Sequence, residues 1–306
     1  MHTGLKMLTG MLLLLFGGHF ETTHPMQETH ARPVATVTND SLPPYSLPNT
    51  EVRNFTSRET GVDYVLYISL PAGYRQTSRK YPVLMLLDAD YAFAIAHNVV
   101  DHFARRNNLE ELILVGIAYK GKSRDMATYR KNRVRDYTPS AVTSGVYNHE
   151  ISSYSGGGKQ FLRFISRELI PFLGENYRVT ADRGIVGHSL GGFFAAWTLI
   201  HSPAVFNRYI IISPSLWYDD HLIFQSDFSQ LTAVPDADIR VFFGVGSHEN
   251  QPGRGWPMVD DMLRMSDTLK TLDIDDLAIH AVVFDDEIHN SVFPAAFTRG
   301  VRTVYR

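Results

Sequence analysis

The sequence predicts an α/β domain, a mainly parallel sheet with helices on both faces, and three observations carry that expectation. Short apolar runs alternate with longer stretches of helical spacing from about Glu51 onward. Several short runs hold consecutive Val, Ile, Leu or Phe instead of alternating with polar residues, the pattern of strands covered on both sides. A length of 306 residues, 44% of them apolar and 20% charged, is enough for one large core and argues against disorder or a fibrous repeat.

Met1–Phe20 places Lys6 ahead of an apolar block, Met11–Phe16, that is too short and too interrupted by Gly10, Gly17 and Gly18 to span a bilayer. A basic start followed by a short apolar stretch is the pattern of a secretory signal peptide, expected to end at Phe20 or as far along as Ala31. Export to the periplasm or the medium follows. The alternative, an uncleaved interfacial anchor, is the one membrane contact expected. Residues 32–50 read as an extended N-terminal segment and residues 51–306 as the domain.

Within the domain, strands are expected at Asp63–Leu70, Tyr81–Asp88, Leu112–Tyr119, a short run ending at Ile185-Val186, Tyr209–Ser213, Ile239–Gly246 and Leu277–Phe284. Helices are expected at Phe93–Arg106, Lys159–Asn176, Leu190–His201, Pro257–Leu272 and Val292–Tyr305, with a kink or break at Pro171. Ligands of such sheets bind beyond the carboxyl ends of the strands, so the residues just after each apolar run matter most.

Composition narrows the chemistry. Cysteine is absent, which removes disulfides, thiolate metal sites and a cysteine nucleophile, leaving Ser, Thr, Lys, a carboxylate or a metal-bound water. The thirteen histidines include no H-E-x-x-H or comparable ligand cluster, so neither a metal nor a cofactor is expected. With 29 basic against 32 acidic residues, the net charge of −3 gives no reason to expect nucleic acid as a partner.

Gly187-His188-Ser189-Leu190-Gly191 is a G-x-S-x-G motif between the Ile185-Val186 run and a helical stretch. Strand, turn and helix are the setting of a nucleophile elbow, in which flanking glycines avoid a Cβ clash and the serine stands above the sheet. The backbone N–H of Leu190, at the helix start, would then stabilise an oxyanion. A serine hydroxyl needs a base. Of the histidines after Ser189, His289 lies just beyond the last strand and before the last helix, whereas His201 ends a helix, His221 sits in a loop and His280 lies within a strand. Glu249 is the first carboxylate past the penultimate strand and the best candidate for the orienting acid, with Asp260, Asp261, Asp219 and Asp220 as rivals. A second oxyanion donor is expected from the turn after Tyr81–Asp88, at the N–H of Asp90.

Between Lys120 and Arg135 the chain carries seven basic residues and one acid. A basic rim would attract anionic substrates, with Arg135 on the ligand and Tyr137 and Trp217 as aromatic walls. The ordinary reading is a surface loop whose charges pair with Asp273–Asp276 and Asp285–Glu287.

Taken together, LLDADYAF (86–93), VGIAY (115–119), RVRDYTPS (133–140), the segment 156–178, GHSLGG (187–192) and ISPSLWY (212–218) resemble the putative-esterase branch of the α/β-hydrolases. That branch includes enterochelin (ferri-siderophore) esterases, feruloyl and acetyl-xylan esterases and S-formylglutathione hydrolase, and the enterochelin-esterase-like subgroup is the most similar. The resemblance runs from about Thr50 to the C-terminus. It implies the α/β-hydrolase fold and ester hydrolysis through an acyl-serine, with Ser189 as nucleophile, His289 as base and an acid near Glu249. Some siderophore esterases of this type use a Ser–His pair alone. Ala89 stands where relatives often carry Gly, and there is no lipase-like HGGG run. The expected function is therefore a serine esterase acting on a small-molecule ester, siderophore or phenolic. An acyltransferase using the same residues, or a binding protein on a hydrolase fold, are the alternatives.

Overall fold

The computed structural model describes residues 44–121, 125–233, 238–251, 253 and 256–306. The leader, most of the 32–50 segment, and Lys122 and Arg124 of the basic stretch lie outside the described residues.

Strands β1 (Thr50–Thr56), β2 (Asp63–Ser69), β3 (Tyr81–Leu86), β4 (Ile113–Tyr119), β5 (Val179–His188), β6 (Arg208–Ile212) and β7 (Ile239–Gly246) come first in the chain. A short ribbon of β8 (Asn250–Gln251) and β9 (Trp256–Pro257) follows, and then β10 (Leu277–Phe284). The main sheet has the order β1-β2-β4-β3-β5-β6-β7-β10. Pairing is antiparallel for β1/β2 and β2/β4 and parallel from β4 through β10. This is the mainly parallel sheet that the sequence predicts.

Both faces are covered, and the period-2 alternation of the central strands divides their side chains between two cores. Ile185, Tyr209, Ile211, Val241 and Phe243 pack with helices Gly158–Arg163, Leu190–His201 and Met258–Lys270. Val186, Ile210, Ile212 and Phe242 pack with helices Ala89–Ala104 and Phe293–Val304.

Three elements differ from the expectation. β1 is an added antiparallel edge strand whose residues are mostly exposed, so it has no apolar run to announce it. Met126–Tyr137, read as a charged loop, is a helix N-capped by Asp125, whose carboxylate accepts from the Ala127 N–H at 3.1 Å. Pro171 does not break its helix. A π-helical turn, Phe164–Leu169, precedes it and leads straight into Ile170–Asn176, widening the helix where the ring would meet the preceding turn.

Candidate active site

β5 ends at His188, and Ser189 follows at φ 61°, ψ −120°, a conformation that L-residues hold only when their surroundings impose it. Its backbone is fixed at three points. The Ser189 N–H donates to the Ile212 carbonyl at 3.0 Å, and its own carbonyl accepts from Phe193 N–H at 2.9 Å and Ser215 N–H at 3.1 Å. The glycines explain why the turn closes. A Cβ on residue 187 would lie 2.1 Å from the Gly191 carbonyl oxygen, and one on residue 192 would lie 2.7 Å from that of Ile212. The tight positions are therefore Gly187 and Gly192. Gly191, the last residue of the motif, is less constrained, its nearest neighbour being Asp88 Oδ2 at 3.3 Å.

His289 lies in the turn between β10 and helix Phe293–Val304. Its Nδ1 is 2.6 Å from Glu249 Oε2. Glu249 is 1% exposed, and its other oxygen accepts from Ser213 Oγ and Gly246 N–H, each at 2.7 Å. A carboxylate bonded on both oxygens is fixed in orientation, and it fixes the imidazole in turn. Ser189, Leu190 and His289 line one cavity of about 510 Å³ at the carboxyl ends of the strands, together with Tyr91, Arg130, Trp217 and Trp256. The Ser189 hydroxyl is turned toward Ser215 Oγ, 3.5 Å away, so the Ser189–His289 hydrogen bond is not made in this rotamer.

The rival candidates are accounted for elsewhere. His221 Nε2 lies 3.1 Å from Asp261 Oδ2, Asp260 accepts from Asn250 Nδ2 at 3.1 Å, and His201 Nδ1 bonds the Trp197 carbonyl at 3.0 Å.

Several substrate-side expectations need correction. Arg135 does not reach the cavity. It pairs with Asp136 at 2.7 Å and lies beside the Tyr119 ring. Tyr137 is fully buried, and its hydroxyl accepts from the Asp88 N–H at 3.2 Å, a core role. Asp90 lines a neighbouring recess with Lys120, Asp125 and Asn132, not the Ser189 cavity. Burial pushes its carboxyl up to about 6, against the N–H groups of Tyr119 and of Asp90 itself, which favour the charged form. Trp217 does line the cavity, stacked on Trp256 with centroids 4.9 Å apart.

The basic stretch divides between structure and site. Lys120 pairs with Asp63, Lys131 with Glu150, Arg133 with Asp88 and Arg135 with Asp136, and none of these partners lies in the acidic stretches expected to neutralise them. Arg130 has no acidic partner among the described residues and lies over the Tyr147 ring at 5.0 Å, at the cavity wall. Arg133 is the residue that sequence reasoning missed most. It is 5% exposed, holds both Asp88 oxygens at 2.7 and 3.0 Å, and reaches the His188 carbonyl at 3.2 Å. It thereby ties the β3 turn, where Asp88 is left-handed at φ 55°, to the nucleophile elbow. Met126, Tyr129, Arg130 and Arg133 fall on one face of their helix at spacings of three and four, a signal visible in the sequence once the segment is read as helical. Among the described residues no group of three or more His, Asp or Glu is placed to hold a metal ion, and no helix is long and apolar enough to cross a membrane.

Comparison with known proteins gives a consistent family. Residues 57–260 match the family model described as "Putative esterase". The ferri-bacillibactin esterase BesA of Bacillus subtilis is 29% identical over 267 residues, covering 84% of this chain and 90% of that protein. The siderophore triacetylfusarinine C esterase of Aspergillus fumigatus is 26% identical over 293 residues, covering 86% and 95%. The crystal structure of the BES protein from Bacillus cereus superposes with a TM-score of 0.76 at 27% identity, over 88% of this chain and 100% of that one. With the family model spanning most of the domain around the Ser189 elbow, the chain belongs to this esterase family.

Proposed function

We propose that the protein is a serine carboxylic-ester hydrolase that works through an acyl-serine intermediate, with Ser189 as nucleophile, His289 as base and Glu249 as the acid that orients it. The observation that carries this reading is a strained serine and a carboxylate-anchored imidazole lining one cavity. The Ser189 hydroxyl turns from Ser215 toward His289 Nε2 and gives up its proton there as Oγ attacks the ester carbonyl. The negative charge that forms on the carbonyl oxygen is met by the Leu190 N–H at the start of helix Leu190–His201, where the helix dipole adds to it. Glu249 stabilises the imidazolium, which then protonates the departing alkoxide. Water then attacks the acyl carbonyl, losing a proton to His289, and as the carbonyl–Oγ bond breaks His289 returns that proton to Ser189 Oγ and the carboxylic acid leaves.

On the substrate side, we propose an anionic siderophore or phenolic ester. Arg130, without an acidic partner among the described residues, the Tyr147 ring beneath it and the Trp217–Trp256 stack favour a planar, negatively charged group, and two relatives are named as a ferri-bacillibactin esterase and a siderophore esterase. The Lys6-plus-apolar leader supports export, with residues 51–306 as the domain, and N-terminal sequencing of secreted protein would read the cleavage point.

The test is p-nitrophenyl acetate turnover by wild type and Ser189→Ala. Loss of turnover in the variant is expected, and equal rates would contradict the reading.

A further inference from the structure

We propose that His188, the residue before the nucleophile, is a positioning residue for His289, a flat ring wall that keeps the base aligned while Glu249 holds its edge. This rests on the esterase reading above.

Glu249 leaves one freedom of the His289 ring undetermined. A single bond at 2.6 Å to Nδ1 fixes one edge of the imidazole but lets the ring swing about that bond, so Nε2 can sweep away from Ser189. A contact on the ring's face removes this freedom. His188 supplies one, its ring centroid lying 4.6 Å from that of His289 with 32° between the planes. The wall is itself fixed. Its Nδ1 shares a hydrogen bond of 2.9 Å with the Tyr91 hydroxyl, and Phe293 packs edge-on at 6.1 Å. Its backbone carbonyl accepts from Arg133 at 3.2 Å. The residue is 8% exposed.

Its position in the chain makes the device effective. His188 is the last residue of β5, so whatever moves the wall moves Ser189 with it. Tyr91 belongs to the helix after the β3 turn, and Phe293 to the helix that follows His289. One side chain therefore touches the three segments that must be in register for catalysis. Burial, the neighbouring His289 ring and the charge of Arg133 hold the His188 imidazole well below its ordinary pKa, so it stays neutral. When His289 takes the serine proton, His188 therefore adds no second charge beside it.

The test uses the full chain with His188→Ala, which removes the wall, and His188→Phe, which keeps a flat face without the ring nitrogens. Ester turnover is read as kcat and KM separately. The expected result is a fall in kcat of about 10- to 100-fold for His188→Ala with KM within about threefold, and recovery by His188→Phe to within about threefold of wild type. Should His188→Ala fail to fold, His188→Leu, which fills the volume without a flat ring, takes its place with the same expectation. Unchanged kcat in the variant without a ring, or His188→Phe as impaired as that variant, would overturn the proposal. A second readout needs no turnover: in 15N-histidine-labelled protein the His289 Nδ1–H signal should be sharp in wild type and His188→Phe and broadened in His188→Ala. A wild type that hydrolyses no ester would defeat the functional reading alone, and the His289 signal would still report whether His188 orders the ring.

Discussion

Among the described residues two acid–histidine pairs are built on a buried carboxylate, and one of them lines a cavity with a strained serine. Glu249 and His289 meet at 2.6 Å on the wall of the cavity, with the carboxylate also bonded by Ser213 and Gly246. Asp261 and His221 meet at 3.1 Å between helix Met258–Lys270 and a turn in which Asp219, Asp220 and His221 are all left-handed, at φ 49°, 50° and 59°. The second pair brings together two candidates considered and set aside for the first. Its carboxyl is raised by burial and drawn back down by His221. Among the described residues no Ser or Thr hydroxyl is bonded to either member, and the pair fastens a strained turn to a helix. A serine–histidine contact alone is equally uninformative. Ser69 Oγ and His97 Nδ1 are bonded at 2.8 Å, but both residues are buried, and the recess beside Ser69 is about 20 Å³, room for little more than a water. The combination of strained serine, anchored imidazole and open cavity occurs at Ser189.

Replacing each acid by its amide separates the two pairs. Glu249→Gln should lower kcat by roughly 10³-fold or more, because the imidazole loses the partner that sets its tautomer and stabilises its cation. Asp261→Asn should leave kcat within about twofold and shift only the melting temperature. Comparable losses in both would erase the distinction between the pairs.

A structural ion pair should behave differently again. Arg133→Met leaves Asp88, 0% exposed, without its cation, and should destabilise the fold by about 3–5 kcal/mol in urea unfolding. Little change would show that the pair does not hold the β3 turn to the elbow.

Arg130 sharpens the substrate side. Arg130→Gln should raise KM for an anionic aryl ester by about tenfold and leave p-nitrophenyl acetate unaffected, because one charge-assisted contact is lost. Equal effects on both esters would remove Arg130 from recognition.

The smallest effect expected is at Asp90. Its carboxyl titrates near 6 in the fold against about 4 in the unfolded chain. The stability it contributes is thus present below pH 4 and lost as pH rises through 6. Asp90→Asn should therefore gain on wild type between pH 4 and pH 8, by about 1 kcal/mol once solvent screening is allowed for. Thermal melts at the two pH values check the sign.

How much of this was legible in the sequence follows from which forces leave a pattern. The central strands announce themselves because both faces are buried and every position is apolar, as in Ile113–Tyr119. The convergence of Ser189, His289 and Glu249 at one end of the sheet was readable because strand–turn–helix order places residues at the carboxyl ends of strands. Helix Met126–Tyr137 was not. Its buried positions include Arg133 and Asp136, which enter the interior as ion pairs, so the core face carries charge and shows no apolar stripe. The same helix explains why Arg135 and Tyr137 were expected at the cavity while Arg130 and Arg133 are found there. A loop reading gives no face, and a shift of two residues along a helix turns a side chain by more than half a revolution. Asp90 illustrates a different limit, since the direction of one peptide N–H depends on the turn at Asp88, where an aspartate takes a conformation more typical of glycine.

In the proposed function Ser189 is activated by an imidazole held on Glu249, and covalent labelling reads this directly. Wild-type protein treated with a fluorophosphonate probe and analysed by peptide mass spectrometry should carry the probe on Ser189, with labelling slowed by at least about 100-fold in His289→Ala. A probe that leaves Ser189 untouched in folded wild-type protein, or labels it equally fast without His289, would contradict the account.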